Sequence, residues 1–160
     1  MYNKVTKRLD ILKCNYELLP HQIVQTAEET KEVLDSYGYQ TIKNLFLTNK
    51  KGDMFYLVSM PWNKPVKIAE IGTNQGVGRV SFGNDDILME IMGVKSGSVG
   101  AFNLLNVKTN DFKYFIDEDI MEYEYLTFHP NQNDYTIAIK RDDFLKYLKT
   151  TKKEFEVVKI

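Results

Sequence analysis

The chain has 160 residues, of which 43% are hydrophobic, a composition typical of one globular domain with a hydrophobic core. Its formal net charge of −1 provides no global field for nucleic acid or a membrane, so a polyanionic ligand would have to meet a local basic patch. Cys14 is the only cysteine, which excludes an intramolecular disulfide, and with no signal peptide or membrane-spanning apolar run in view we expect a cytoplasmic protein.

The first third of the chain alternates helix and strand signals. Apolar residues at helical spacing predict an amphipathic helix that ends near Cys14, followed by a short strand over residues 16–21. Thr26 and Glu29 have the spacing of a capping box, which predicts the start of a second helix. Gly38 is placed to end that helix.

A β-hairpin is predicted next, because two apolar runs, residues 41–48 and 54–60, flank a polar turn that contains a glycine. Lys43 and Asn44 are polar residues inside the first of these runs. Two interpretations fit them: the exposed start of a strand, or side chains that point into a pocket for an anion or a polarised carbonyl. A buried ammonium is costly unless something pairs with it.

The rest of the chain mixes further helices and strands. Helices interspersed among hairpins predict an α+β domain with a mixed or mainly antiparallel sheet. The predicted elements are a short helix that begins at Pro65, a glycine-containing loop over residues 72–78, a strand at 79–82, a helix between Asn84 and Gly93, strands at 111–116, 123–128 and 135–139, a helix around Phe144 and a last strand at 155–158.

Several candidate sites are compatible with more than one role. The small residues of loop 95–100 would let backbone N–H groups converge on an oxyanion, although a plain helix-to-strand connection explains them as well. His129 fits a hairpin turn or a contact to a polar substrate group. One cysteine and two histidines without a recognisable spacing argue against a metal site, and Cys14 is better explained as filler on a helix than as a nucleophile.

Basic side chains occur in local groups that either keep a surface solvated or, around a pocket mouth, would neutralise phosphates. Those of interest are Lys50, Lys51, Lys64, Lys67 and Arg79.

Taken together, an ordered set of short motifs resembles the YbaK/PrdX family of aminoacyl-tRNA editing domains, most of all its freestanding PrdX-type members. The resemblance extends over about residues 5–148. The motifs are residues 43–47, 80–82, 88–94, 97–99, Phe102, 104–106 and 128–131.

This resemblance implies one editing domain over residues 1–160, with an α/β fold in which helices surround a mixed, partly barrel-like sheet. It implies hydrolysis of the ester of a mischarged tRNA, foremost Ala-tRNA(Pro), with no cofactor, no metal and the substrate's own 2′-hydroxyl helping to activate water. The family pattern places the catalytic roles on Lys43, Asn44, Gly97, Ser98 and His129. Substrate contacts are expected from Thr26, Phe46, Ser81, Phe102 and Asn106, and tRNA contacts from Lys50, Lys51, Lys64, Lys67 and Arg79.

The expected partner is mischarged proline tRNA, with prolyl-tRNA synthetase as a second candidate. The oligomeric state stays open. Three alternatives also remain: a deacylase for another small amino acid, of the Cys-tRNA(Pro) type, a tRNA-binding paralogue without catalysis, and a ligand-binding α+β domain unrelated to tRNA.

One stretch departs from the family pattern. Ser96 and Ala101 stand where the family usually has proline, Asn103 where it has glycine, and Val107 where an acidic residue is common. Proline restricts the backbone before a ligand arrives, so its loss predicts a looser loop.

Overall fold

A computed structural model describes residues 2–160, leaving only Met1 of the predicted 1–160 domain outside the described residues. Their regular structure consists of five α-helices, eight β-strands and two short 3-10 helices. In chain order these are α1 (Tyr2–Ile11), β1 (Tyr16–Pro20), α2 (Ala27–Tyr37), β2 (Ile42–Asn49), β3 (Phe55–Pro61), α3 (Ile68–Asn74), β4 (Val80–Phe82), α4 (Asp85–Met92), a 3-10 helix (Ala101–Asn106), β5 (Phe112–Asp117), a second 3-10 helix (Glu118–Glu122), β6 (Tyr125–Phe128), β7 (Tyr135–Lys140), α5 (Arg141–Thr150) and β8 (Glu154–Val158).

The strands form two open sheets. One has three antiparallel strands in the order β1-β7-β6, and the other has five strands in the order β4-β2-β3-β5-β8. In the larger sheet β2 is antiparallel to both neighbours, whereas β5 runs parallel to both β3 and β8. The expected mixed α/β fold is confirmed, with the strands divided between two sheets and not closed into one barrel.

The predicted hairpin is confirmed as β2 and β3, which pair with Lys43 opposite Met60 and Asn44 opposite Ser59. The Asn49 side chain closes the turn by accepting hydrogen bonds from the backbone N–H groups of residues 53 and 54, both at 3.1 Å. β3 is almost entirely buried between its two neighbours, so the register of β2 is set by the pattern of buried residues on both faces.

Helix α2 begins as the capping pattern predicts, but with a shifted partner. The Thr26 hydroxyl accepts from the Glu29 N–H at 3.1 Å. The Glu29 carboxylate reaches back to the N–H of Gln25 at 2.8 Å, one residue earlier than a standard capping box requires. Gly38 ends the helix in the left-handed conformation, with φ 83°.

The segment after the hairpin differs from the prediction. The helix expected to begin at Pro65 starts only at Ile68, and Gly72, expected in a loop, lies inside it. A Cβ at Gly72 would lie 2.1 Å from the backbone oxygen of Gly78. The close approach of two backbone segments therefore explains this glycine, and local sequence does not reveal that approach.

The main core lies between the two sheets and the helices α1, α4 and α5. Phe102 is fully buried in it, with its ring 5.9 Å from that of Phe128 and 5.1 Å from that of Tyr147. Both rings contact it edge-on, an arrangement that aromatic pairs favour. No helix among residues 2–160 is long and apolar enough to cross a membrane.

The packing around Gly72 gives a stability prediction. Gly72→Ala should lower the free energy of unfolding by about 1–3 kcal/mol, because the added methyl group overpacks against backbone that cannot rotate away. Urea denaturation measures the change, with Thr73→Ala, an exposed neighbour in the same helix, as the control that should stay within about 0.5 kcal/mol. Equal stability of the two variants would contradict the proposed packing.

Candidate active site

A pocket of about 390 Å³ opens beside the start of β2. Its walls come from α2 and the two residues before it, residues 41–46, Trp62, the corner between β4 and α4, loop 96–99, and the facing ends of β6 and β7. The volume lies within the range of about 300–1,000 Å³ that is usual for sites binding small molecules.

The structure brings together most of the predicted catalytic residues. Lys43, Asn44, Gly97 and His129 all line this one pocket, although they are up to 86 positions apart in the sequence. Ser98 follows Gly97 but does not itself line the pocket. Two of the predicted substrate contacts, Thr26 and Phe46, line it as well.

Lys43 is half-buried at the pocket wall, and its Nζ donates to the backbone oxygen of Lys64 at 2.7 Å. Burial lowers the pKa of Lys43, and no carboxylate among residues 2–160 lies within 4.0 Å of its ammonium group. The pocket interpretation of this residue therefore fits better than that of an exposed strand end. An ammonium without a carboxylate partner is suited to an anionic or polarised oxygen.

Asn44 is oriented by a buried relay of hydroxyl groups. The Tyr114 hydroxyl donates to Ser59 Oγ at 2.7 Å, and Ser59 Oγ donates to Asn44 Oδ1 at 2.5 Å. Complete burial raises the pKa of Tyr114, so its hydroxyl remains a donor at neutral pH. With Oδ1 occupied as an acceptor, the Asn44 amide presents its Nδ2 donors to the pocket.

His129 offers the pocket an acceptor. Its Nδ1 donates to the backbone oxygen of Tyr135 at 2.9 Å, which leaves the lone pair on Nε2. Burial lowers the pKa of His129, so the ring is neutral at pH 7. The Thr136 hydroxyl lies against the same ring and also bonds Nε2 of His21 at 2.9 Å, which fixes the two imidazoles side by side.

The Gly97 turn lies in the pocket wall and has one unpaired N–H group among the described residues. Gly97 has φ 95°, and a Cβ there would lie 3.3 Å from the backbone oxygen of Gln25, so glycine suits both its conformation and its contact. The Ser98 N–H donates to the backbone oxygen of Lys95 at 3.1 Å. Of the two N–H groups expected to form an oxyanion cradle, only that of Gly97 is therefore unpaired among the described residues.

A cluster of asparagines holds the next part of the loop. Asn103 accepts from the Gly100 N–H at 2.7 Å and donates to Asn131 at 2.9 Å. Asn106 donates to the same oxygen of Asn131 and to the backbone oxygen of Met92. These bonds constrain the segment that lacks the family's prolines. Asn103, which stands where the family has glycine, therefore opposes the loosening of the loop that the loss of the prolines predicts.

The other predicted substrate contacts lie outside the pocket. Asn106 belongs to the asparagine cluster, Phe102 to the core, and Ser81 is exposed on β4 opposite Thr48.

None of the predicted tRNA-binding residues lines the pocket. Lys50 and Lys51 occupy the hairpin turn and Arg79 precedes β4, all at the end of β2 away from Lys43, about 20 Å along the strand. Lys64 forms ion pairs with Asp117 at 2.7 Å and Asp119 at 2.8 Å, and Lys67 pairs with Glu70.

Sequence reasoning missed most of the other residues that line the pocket, among them Thr41, Trp62 and Phe82. Nothing in the sequence indicated a role for Thr41, because a threonine just before a strand is common. Trp62 follows β3, and Phe82 is the last residue of β4. Large aromatic residues at the ends of strands are the one sequence signal that could have indicated the edge of a pocket. No group of three or more metal-ligating side chains occurs among residues 2–160.

Comparison with known proteins gives a consistent result. Residues 21–147 match the family model of the aminoacyl-tRNA editing domain. The chain is 29% identical to the prolyl-tRNA editing protein ProX of Acetoanaerobium sticklandii, with 98% of this chain and 95% of that protein covered. It is 28% identical to prolyl-tRNA synthetase associated domain-containing protein 1 of Mus musculus, with 92% and 89% covered.

Solved structures share the fold. A protein proposed to be a trans-editing enzyme for prolyl tRNA synthetase superimposes with a TM-score of 0.70 at 17% identity, covering 99% of this chain and 96% of that one. The hypothetical protein APE2540 superimposes with a TM-score of 0.75 at 15% identity, covering 97% and 98%. The match of the family model over most of the length, together with these likenesses, confirms the resemblance and shows that the chain belongs to the aminoacyl-tRNA editing domain family.

Proposed function

We propose that this editing domain acts in trans to hydrolyse the ester of mischarged proline tRNA, with alanine as the amino acid released. The observation that carries the proposal is the convergence of Lys43, Asn44, Gly97 and His129 on one pocket. The names of the ProX relative and of the mouse relative support proline tRNA as substrate and prolyl-tRNA synthetase as a candidate partner. Because charged tRNA is the substrate, we expect the protein to act in the cytoplasm.

The chemistry requires little acid or base strength, because an aminoacyl ester is already activated. What the pocket must supply is orientation of the carbonyl, donors for the oxyanion that develops and access for a water molecule. In this proposal Asn44 Nδ2 and the Gly97 N–H face the carbonyl oxygen. Lys43 contributes positive charge at the ester or at the terminal phosphate, and His129 Nε2 accepts a hydrogen bond from the aminoacyl group.

Selection by size follows from the walls of the pocket. Attraction alone separates two side chains by only about 1–3 kcal/mol per methylene, whereas a closed wall rejects a larger side chain sterically. Leu34, Ile42 and Phe46 contribute apolar surface to the pocket and would provide such a wall for a short side chain.

A panel of purified mischarged tRNAs tests the proposal. Release of alanine from proline tRNA alone supports it, and release of cysteine or another small residue in its place supports the alternative deacylase. Binding without turnover would identify a non-catalytic paralogue and would contradict the proposal.

Lys43→Ala should reduce deacylation by at least about a hundredfold, the order expected for loss of a charge that stabilises the transition state. Thermal unfolding should change little, because the side chain makes one hydrogen bond and no ion pair within the described residues. Single-turnover deacylation measures the effect, and Lys7→Ala, an exposed lysine on α1, is the matched control. Full activity of Lys43→Ala would remove this residue from the mechanism.

Tyr114→Phe tests the relay that orients Asn44. The variant removes the hydroxyl that donates to Ser59, so Ser59 no longer has to donate to Asn44 and the amide can rotate. We expect kcat to fall roughly tenfold with little change in KM, and the free energy of unfolding to fall by about 1 kcal/mol. An unchanged kcat with the same loss of stability would mean that the relay is only structural.

The neutral state of His129 predicts a pH dependence of stability. Its pKa in the folded protein lies below the ordinary 6.5, so as the pH falls below about 6.5 the unfolded chain binds a proton that the folded chain does not. The free energy of unfolding should therefore decrease with falling pH until His129 itself protonates. Chemical denaturation at several pH values should show a smaller decrease for His129→Gln than for the wild type, and equal decreases would contradict the assignment.

A further inference from the structure

The ammonium group of Lys43 is held by the loop that follows β3. Its Nζ donates to the backbone oxygen of Lys64 at 2.7 Å, and this is the one hydrogen bond that the side chain makes within residues 2–160. A lysine side chain is a flexible four-carbon stem, so its charged end takes a fixed position only where something holds it. The position of Lys43 Nζ in the pocket wall therefore depends on how firmly the carbonyl of Lys64 is itself placed.

The side chain of Lys64 anchors that loop to the end of β5. Its Nζ lies 2.7 Å from a carboxylate oxygen of Asp117 and 2.8 Å from one of Asp119. The Asp117 side chain has no exposed surface, and its second oxygen accepts from the Asp119 N–H at 3.0 Å. Because breaking a buried ion pair leaves an uncompensated charge, Lys64 is held more firmly than a lysine in an exposed pair.

The backbone of the same loop is attached to the chain next to Lys43. The Trp62 N–H donates to the backbone oxygen of Thr41 at 3.1 Å, and the Lys64 N–H donates to that of Pro61 at 3.3 Å. β5 runs parallel to β3, so the two strands end at the same edge of the sheet and the Lys64 side chain spans the short gap between them. The loop is thus fixed on both sides, and its carbonyl has a defined direction.

The two lysines differ in their electrostatic surroundings. Burial alone would lower the pKa of Lys64, but hydrogen bonds to Asp117 and Asp119 raise it above its ordinary value. Burial lowers the pKa of Lys43, whose partner is a carbonyl. A carboxylate beside Lys43 would neutralise its charge, whereas a carbonyl directs the ammonium and leaves the charge and two further protons for a substrate oxygen.

We propose that Lys64 and Asp117 are positioning residues that act on the reaction through Lys43. Their buried ion pair fixes the loop, and the loop carbonyl directs the Lys43 ammonium toward the ester. Neither residue lines the pocket, so neither contacts the substrate there. The inference rests on the proposed function and gives Lys64, which the sequence placed among the tRNA contacts, a role inside the protein.

Deacylation of Ala-tRNA(Pro) tests this role at a temperature where each variant is folded. Asp117→Asn and Lys64→Met should lower kcat about tenfold with little change in KM, because the Lys43 ammonium is still present but is no longer directed. Lys64→Arg keeps the charge and should retain most of kcat. Glu70→Gln is the matched control, since it removes an acid from the exposed pair with Lys67, and it should stay within about twofold of the wild type.

A second measurement follows the ammonium directly. In protein labelled with 13C and 15N at lysine, the NMR order parameter of the Cε–Nζ bond of Lys43 should be high in the wild type and fall toward that of exposed Lys7 in Asp117→Asn. Asp119→Asn removes the half-exposed acid and keeps the buried one, so it should give a smaller fall and serves if Asp117→Asn does not fold. Loss of stability alone would lower the melting temperature without changing this order parameter in the folded protein.

The remaining outcomes separate the two proposals. An unchanged kcat in Asp117→Asn, or a Lys43 order parameter in the wild type equal to that of Lys7, would overturn the inference and leave the proposed function intact. A raised KM with weaker salt dependence and an unchanged kcat in Lys64→Met would identify a contact to tRNA phosphate and would overturn it as well. A wild type that deacylates no mischarged tRNA would overturn the proposed function, and the inference with it.

Discussion

The antiparallel register of β2 and β3 is the constraint on which the site depends. It places Asn44 opposite Ser59, so that a hydroxyl from the buried strand reaches the amide that faces the pocket. A shift of one residue would turn every side chain of β2 to the other face of the sheet. The buried faces of β3 prevent such a shift, and β5 on its far side provides the tyrosine that completes the relay. The contacts that pack β3 into the core are therefore also the contacts that set the geometry of the site.

Hydrogen bonds between polar side chains hold together, at the pocket, segments that are far apart in the sequence. The asparagines at positions 103, 106 and 131 connect loop 95–106 to the turn after β6. His21, Thr136 and His129 connect the segment before α2 to the β6–β7 hairpin. Such networks contribute most when every member is satisfied, because an unpaired polar group in a low-dielectric interior is costly. Against that background the unpaired hydroxyl of Thr41 is the exception among the buried side chains of residues 2–160, and Thr41 lies in the wall of the pocket.

The electrostatic character of the pocket matches a substrate that carries its own activated ester. It contains a lysine without a carboxylate partner among the described residues, a neutral imidazole and donors from an amide and a backbone N–H, while the described residues contain no metal-binding cluster. The net charge of −1 and the dispersed lysines give no broad basic surface, so we expect tRNA binding that is weak and sensitive to salt. Placement of the ester would then depend on the contacts inside the pocket.

The sequence by itself determined the local features: the hairpin, the capped helix α2, the helix between Asn84 and Gly93, and the ordered motifs that indicate the editing family. These depend on neighbours within a few positions, where periodicity, capping and turn chemistry act. Tertiary structure decided the rest. It buried Phe102, which the motif alone could not distinguish from a pocket residue, paired Lys64 with two acids from a later segment, and placed Gly72 against a distant carbonyl. It also left Thr41 unpaired in the pocket wall, because whether a buried hydroxyl finds a partner depends on strands and helices that meet only in the folded chain.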